Sequence, residues 1–330
     1  MAPTISTLVP VGFGLFVWSK LLRALVTFSS LVGKMDKKDP VLDVSSGLIG
    51  VAPVDAFLKA VIPFFRLTIQ DHPSRLLWSM FSPALTPFFF HIAIEGLKPG
   101  ASLLHVTYPA FAILFQLLGI GFVTPTIWIP LILSHAPSDQ LPITPKSNLS
   151  LFTVIAAQSI ILWPSLNGID IVKEPAKAKV ISFFQIAPAA AWLVWAAAHS
   201  LHDDSPIVSS LAPYLPAVAP TFLPTMYHLI AGASVCQHVL TVIEEFSTGA
   251  SWSMLQLFST SATKHSAAKT AGHFLAWDWL GSVLGIAWYI ACAGKGGTPD
   301  WNTLWRVLSV GSIAGPGAAF AMEFARLESR

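Results

Sequence analysis

Apolar residues run along this chain in long blocks separated by short polar connections. At about 20 apolar residues per crossing, nine blocks qualify: 5–33, 48–69, 76–97, 104–134, 149–168, 180–200, 214–243, 271–294 and 304–325. Backbone polar groups in lipid must be satisfied within the segment, which favours helices. The pattern therefore predicts an all-α fold, a polytopic bundle of eight or nine transmembrane helices forming a single integral membrane domain over residues 1–330. The first block is the weakest, because Lys20 and Arg23 interrupt it in VWSKLLRALV, a pattern also compatible with an amphipathic helix lying in the interface. A cleaved signal peptide is the poorer reading, since neither a short n-region nor a small-residue cleavage site is clear. About half of the 25 prolines fall inside the blocks, among them Pro63, Pro83, Pro87 and Pro125. Each removes a backbone donor and tends to kink its helix.

Charge in the connections sets the expected orientation. With nine crossings, Lys34, Lys37, Lys38, Lys98, Lys173, Lys177, Lys179, Lys264, Lys269, Arg326 and Arg330 fall on one side, against Arg75, Lys146 and Lys295 on the other. The positive-inside rule then predicts a cytosolic C-terminus and an external N-terminus. The longest polar connection, 247–270, places Trp252, Leu255 and Phe258 at helical spacing, as a surface-lying loop or an entrance lid would.

Composition agrees with the block pattern. The chain is 54% hydrophobic and 11% charged with a mean hydropathy of +0.65, whereas a soluble domain carries about 25% charged residues. A net charge of +2 with no dense basic run argues against nucleic acid. Both cysteines, Cys236 and Cys292, lie in apolar runs, so no disulfide framework or cysteine-based zinc site is readable. The expected location is a cellular membrane, the endoplasmic reticulum by preference. The expected partners are the lipid bilayer and a lipophilic small molecule, with no obligate protein partner.

Against this background the intramembrane acids stand out. The segment HFLAWDWLGSVLGIAWYI, residues 273–290, holds Asp278 between two indoles. A central aspartate costs about 2.5–3.5 kcal/mol on insertion scales and is by default a functional candidate. Asp55, Glu95, Glu244, Glu245 and Glu323 also lie in or beside blocks. The nine-crossing layout places all six acids toward the cytosolic leaflet with His91, Gln237 and His238 at similar depth, which predicts one shared polar pocket.

An acid held in hydrocarbon keeps its proton and can act as a general acid. On helical spacing Phe274, Asp278, Ser282, Gly285 and Tyr289 share a face, flanked by Trp277, Gly281 and Trp288. The small residues would leave room at the acid. Phe274, Trp277, Trp288 and Tyr289 would supply π faces worth roughly 0.5–2 kcal/mol each to a cation. The alternative is that Gly281 and Gly285 form a packing surface, with Asp278 hydrogen-bonded to a neighbouring helix. Asp55 follows Pro53 and could instead cap a helix start, and Glu323 has Arg326 three residues on as an ion-pair partner.

No His-x-x-x-His or Glu-x-x-His pair, nucleotide loop or serine elbow is present, so neither a metal nor a cofactor is expected.

Three segments, GLIGVAPVDAFLKAVIPFFRLTIQDHPSRLL (47–77), PFFFHIAIEGLKPG (87–100) and FQLLGIGFVTPTIWIPLIL (115–133), resemble the integral-membrane terpene cyclases of fungal meroterpenoid pathways, the macrophorin and ascochlorin/ascofuranone type. The resemblance implies cyclisation of a prenyl chain, usually farnesyl on an aromatic or quinone-like head, begun by protonating a terminal alkene or epoxide without metal. No catalytic positions carry over from the shorter meroterpenoid cyclases. The residues expected to act are Asp278 or the Glu244/Glu245 pair as proton donor, with Asp55, Glu95 or His238 as the base that ends the cascade. A lipid double-bond isomerase would use similar proton chemistry, and a small-solute transporter or receptor would use the same acids to carry protons or bind a cation.

Overall fold

A computed structural model describes residues 4–98, 108–134, 172–173, 176–201, 205–211, 213, 222–248, 253–259, 266–294 and 297–329. The described elements are all helical: α1 (Ile5–Val32), α2 (Ala52–Gln70), α3 (His72–Leu97), α4 (Tyr108–Leu118), α5 (Ile120–Leu133), α6 (Ala176–Ser200), α7 (Pro206–Leu211), α8 (Phe222–Ser247), α9 (Ser253–Gln256), α10 (Ala267–Ala293), α11 (Trp301–Ala314) and α12 (Pro316–Glu328). Four are long and apolar enough to cross a membrane: Ile5–Val32, His72–Gly96, Phe222–Ser247 and Ala267–Ala293. The protein is accordingly an integral membrane protein. The expected block 149–168 lies outside the described residues.

Helix α10 is the axis of the bundle, with α1, α2, α3, α5, α11 and α12 all packed on it. Helices α3 and α10 are buried along most of their length, whereas α1 and α8 bury one stripe and turn Leu8, Leu15, Leu22, Leu229, Leu240 and Ile243 outward. In water such a surface would be a large apolar patch; in a bilayer it faces lipid.

Side-chain pairs fix the directions of the long helices. Ser74 abuts Gly272, and the His91 ring lies 3.0 Å from the Tyr289 hydroxyl, so α3 and α10 run parallel. Helix α8 runs antiparallel to them, since Arg75 bonds Glu244 at 2.8 Å while His91 contacts Tyr227 at 3.2 Å. Helix α1 is antiparallel to α10, because the Trp288 indole donates to the Ser6 carbonyl at 3.0 Å and Phe28 packs with Ala267 and Ala271. One face of the bundle therefore gathers the ends of α1 and α8 with the starts of α3 and α10. The opposite face gathers the ends of α3, α10 and α12.

This arrangement corrects the orientation drawn from nine crossings. Arg75 and Glu244, assigned to opposite sides, form an ion pair; Lys34 and Lys98, assigned to the same side, end up on opposite faces. The end of α12 lies with Lys98, on the face opposite the Lys34 cluster. Block 48–69 does not carry the chain across, because the end of α1 and the start of α3, on either side of α2, share one face, and two later blocks are broken. The block 304–325 is a hairpin rather than one span: Gly315 takes φ of 88°, a left-handed value that favours glycine, and Pro316 starts a new helix. The two arms are joined by Arg306, which reaches Glu323 with two bonds of 2.7 Å. The tip abuts His238 on α8, so α12 runs back to the face that α11 left. The block 104–134 is also broken, at Gly119 with φ of 85°, and a π turn over Thr124–Trp128 accommodates Pro125 in its second half. Such turns absorb a missing i→i−4 bond.

A cysteine-labelling experiment checks the faces directly. In sealed vesicles of one orientation, Lys38→Cys and Ser247→Cys are expected to react with an impermeant maleimide from the same side, and Ser329→Cys from the other. Labelling of all three from one side would refute the arrangement.

Candidate functional site

A cavity of about 530 Å³ lies between α1, α2, α3, α4, α6, α10 and the start of α5, within the range of about 300–1,000 Å³ typical of small-molecule sites. Its wall is aromatic. Edge-on ring contacts run from Phe274 to Phe64 at 5.3 Å, Phe64 to Phe65 at 5.3 Å, Phe65 to Trp78 at 4.9 Å and Trp78 to Phe184 at 5.5 Å. The mouth lies between the last turns of α1 and the first half of α2, where Ser29, Gly33, Lys59 and Ala60 are exposed.

Asp278 is the one carboxylate among the described lining residues. It is 7% exposed and lies 11 residues into α10, or about 16 Å from that helix's start, close to mid-bundle. Its Oδ1 accepts from the Gly121 amide at 2.7 Å. The chain breaks at Gly119, so the free amides that open α5 point at this acid. A helix N-terminus carries partial positive charge and unpaired donors; Asp278 satisfies them from another helix.

The approach requires glycine. A side chain on Gly121 would run into the Asp278 backbone, and one on Gly281 into the Gly121 backbone. The expected vacant space beside the acid is therefore filled: α5 packs its Gly121 and Pro125 onto Gly281 and Gly285. The small residues form a helix contact, as in the alternative reading, while the open space lies on the Phe274 side of the acid.

The structure disperses the remaining candidates instead of gathering them in one pocket. Asp55 accepts the Ile49 and Gly50 amides at 2.9 and 3.1 Å, a capping role at the entry to α2. Glu244 pairs with Arg75, with His72 at 3.6 Å, and Glu245 is buried at the same end of α8. His238 rests against the Gly315 turn. Glu323 is held by Arg306 and by Arg326 at 2.7 Å; the second partner was expected and the first was not.

Of the four expected aromatics, only Phe274 lines the cavity. Trp277 turns toward α1, edge-on to Phe16 at 5.6 Å with the Lys20 ammonium 5.5 Å from its ring. That contact settles a charge within α1. Trp288 is committed to Ser6 and Trp301, and Tyr289 to His91. Phe258 packs on Trp277 at 5.8 Å, so α9 and its following turn are not a lid over the described cavity.

Glu95 belongs to a second polar cluster at the other end of α3. Lys98 bridges Glu95 at 2.6 Å and Glu328 at 3.2 Å, beneath a His91 ring stacked on Phe324 at 4.1 Å. His91, Glu95 and Glu328 present ligand atoms within 4.8 Å of one another, a spacing the sequence motifs did not reveal because Glu328 comes from a distant helix. The Lys98 ammonium already supplies positive charge between the two carboxylates. Burial opposes that charge, the carboxylates outweigh it, and the amine titrates above its ordinary value.

Comparison with known proteins leaves the geometry to stand by itself: no family model, curated protein or solved structure matches the chain.

Proposed function

We propose that the protein is a membrane-bound terpene cyclase, in which Asp278 protonates a terminal alkene or epoxide of a prenylated aromatic and the aromatic cavity guides the resulting cation into rings. The observation that carries this reading is the pairing of one buried carboxyl with a continuous aromatic wall. Oδ1 is engaged by the Gly121 amide, which leaves the other oxygen to hold the transferable proton. As that proton moves to carbon or to the epoxide oxygen, the carboxylate left behind is stabilised by the same amide and by the N-terminal dipole of α5. Cationic carbon then migrates past rings that attract it. Isomerisation conserves protons, so the last cation must return one. With Glu244, Glu245, Asp55, Glu95 and His238 elsewhere, the Asp278 carboxylate is suited to reclaim it.

The family resemblance supports the reading in one further way. The segments 47–77, 87–100 and 115–133 contribute Phe57, Phe64, Phe65, Phe89, Phe115 and Ile120 to the cavity wall. We orient the Lys34, Lys37 and Lys38 face toward the cytosol and place the protein in the endoplasmic reticulum membrane.

Membranes containing the protein, supplied with farnesylated phenol and with its terminal epoxide, are expected to yield cyclic isomers of unchanged mass whose ring protons appear by NMR. Double-bond migration without rings would replace this reading by the lipid-isomerase one, and recovery of unaltered substrates would sink both.

A second reading draws on the helix broken at Gly119, whose new N-terminus meets an acid near mid-bundle. Transporters use discontinuous helices in this way. Solute flux in proteoliposomes without chemical turnover would favour it.

A further inference from the structure

At the far end of the ring contacts that start at Phe274, the aromatic wall ends at two polar groups that have no assigned role. Gln185 on α6 is 8% exposed, and neither its Oε1 nor its Nε2 has a hydrogen-bond partner among the described residues. Trp78 on α3 is 6% exposed, and its indole N–H likewise lacks one. Both residues line the cavity, and Trp78 contacts Phe184, the neighbour of Gln185 in sequence. An unsatisfied buried polar group costs about 1–3 kcal/mol, and native structures leave few of them. A buried carboxamide whose two ends lack partners among the described residues, and a buried indole N–H in the same condition, bring two donor groups and one acceptor to the lining of one cavity.

We infer that Gln185 and Trp78 form the head-group subsite of this cavity, recognising a ligand hydroxyl that donates to Oε1 while accepting from Nε2 or from the indole. The inference rests on reading the cavity as the substrate site. It also gives the substrate a direction: the hydroxylated head lies at the α3–α6 wall, and the prenyl chain extends along Phe65, Phe64 and Phe274 toward Asp278. The phenol is recognised at the end remote from the acid, so its hydroxyl does not compete with the chain terminus for the proton. A purely hydrocarbon ligand would leave three polar atoms unpaired, and an ordinary membrane lipid chain is disfavoured for the same reason. Such mismatches at sites built for a hydroxyl are what give strong discrimination.

The test reads binding and not turnover. Purified full-length protein in detergent is titrated with 2-farnesylphenol and with farnesylbenzene, which differ by the hydroxyl alone. Wild type is expected to bind the phenol about tenfold more tightly, as one buried hydrogen bond allows. Gln185→Met is expected to reduce that preference to about twofold or less while leaving farnesylbenzene affinity in place. Trp78→Phe, which keeps the ring contacts with Phe65 and Phe184, is expected to reduce it in part and provides the answer if the first variant does not fold. Equal affinities for the two probes in wild type, or an undiminished preference in both folded variants, would overturn the subsite. Because no product is measured, a wild type that prefers the phenol yet makes no rings would keep the subsite and reject the cyclase.

Discussion

Asp278→Asn is expected to lower ring formation by at least about a thousandfold, within the range of about 10²–10⁴ for loss of a positioned general acid and toward its upper part because no cation forms without the first proton. The variant isolates that proton. Asparagine keeps an oxygen for the Gly121 amide, so the bond that ties α10 to α5 at 2.7 Å survives and the helix start remains capped. Unfolding in detergent should therefore stay within about 1 kcal/mol of wild type, the net worth of a typical hydrogen bond. Asp278→Leu, by contrast, removes the acceptor and should lower both stability and activity. The measurement is product formation per folded protein, with folding read by thermal unfolding. Near-normal turnover by the asparagine variant would remove Asp278 from the chemistry and leave it as a helix cap.

The second large effect is expected far from the cavity. Lys98→Met should destabilise the protein by about 3–5 kcal/mol, the usual result of removing one partner from a buried ion pair. Lys98 and its two carboxylates are about one-tenth exposed or less, so Glu95 and Glu328 would face each other without the ammonium between them. The triple variant Lys98→Met, Glu95→Gln, Glu328→Gln should recover most of that loss, because replacing every charge of a buried cluster is often close to neutral. The amine of Lys98 is held above its ordinary value. A raised amine contributes fully below the unfolded value of about 10.4 and loses its contribution only as pH climbs through the folded one. Its clamp on α3 and α12 should therefore persist between about pH 6 and pH 9. Thermal unfolding of the single and triple variants across that window is the check; a single variant that melts like wild type would show the bridge to be unimportant.

The sequence pattern located the long helices well because each is a block of apolar residues bounded by polar ones. It misjudged what lies within two of those blocks. Hydropathy is blind to a reversal at Gly315 or a break at Gly119, since neither changes the apolar count, and each depends on a backbone conformation that only the packed chain reveals. One such misreading reverses every later assignment of sides, and reading 48–69 as a crossing is how Lys34 and Lys98 came to share a side. Asp278 was legible as an acid without a snorkelling route, and Phe274 as its neighbour one turn back. The rest of the aromatic wall was not, because Phe64, Phe65, Trp78 and Phe184 come from three other helices. Gln185 gave no signal at all; a glutamine in an apolar helix becomes notable only when its partners are seen to be missing. Trp277, Trp288 and Tyr289 shared the acid's helix but faced α1, the start of α11, and His91.

For the cyclase proposed above, the mouth between the last turns of α1 and Lys59 changes what concentration means. A farnesylated ligand dissolves in the bilayer, so the supply reaching that opening is set by its mole fraction among the lipids and by two-dimensional diffusion, whatever its bulk molarity. Adding inert phospholipid at constant total substrate would then slow turnover by surface dilution, and a sparingly soluble compound could still saturate the site once it has partitioned.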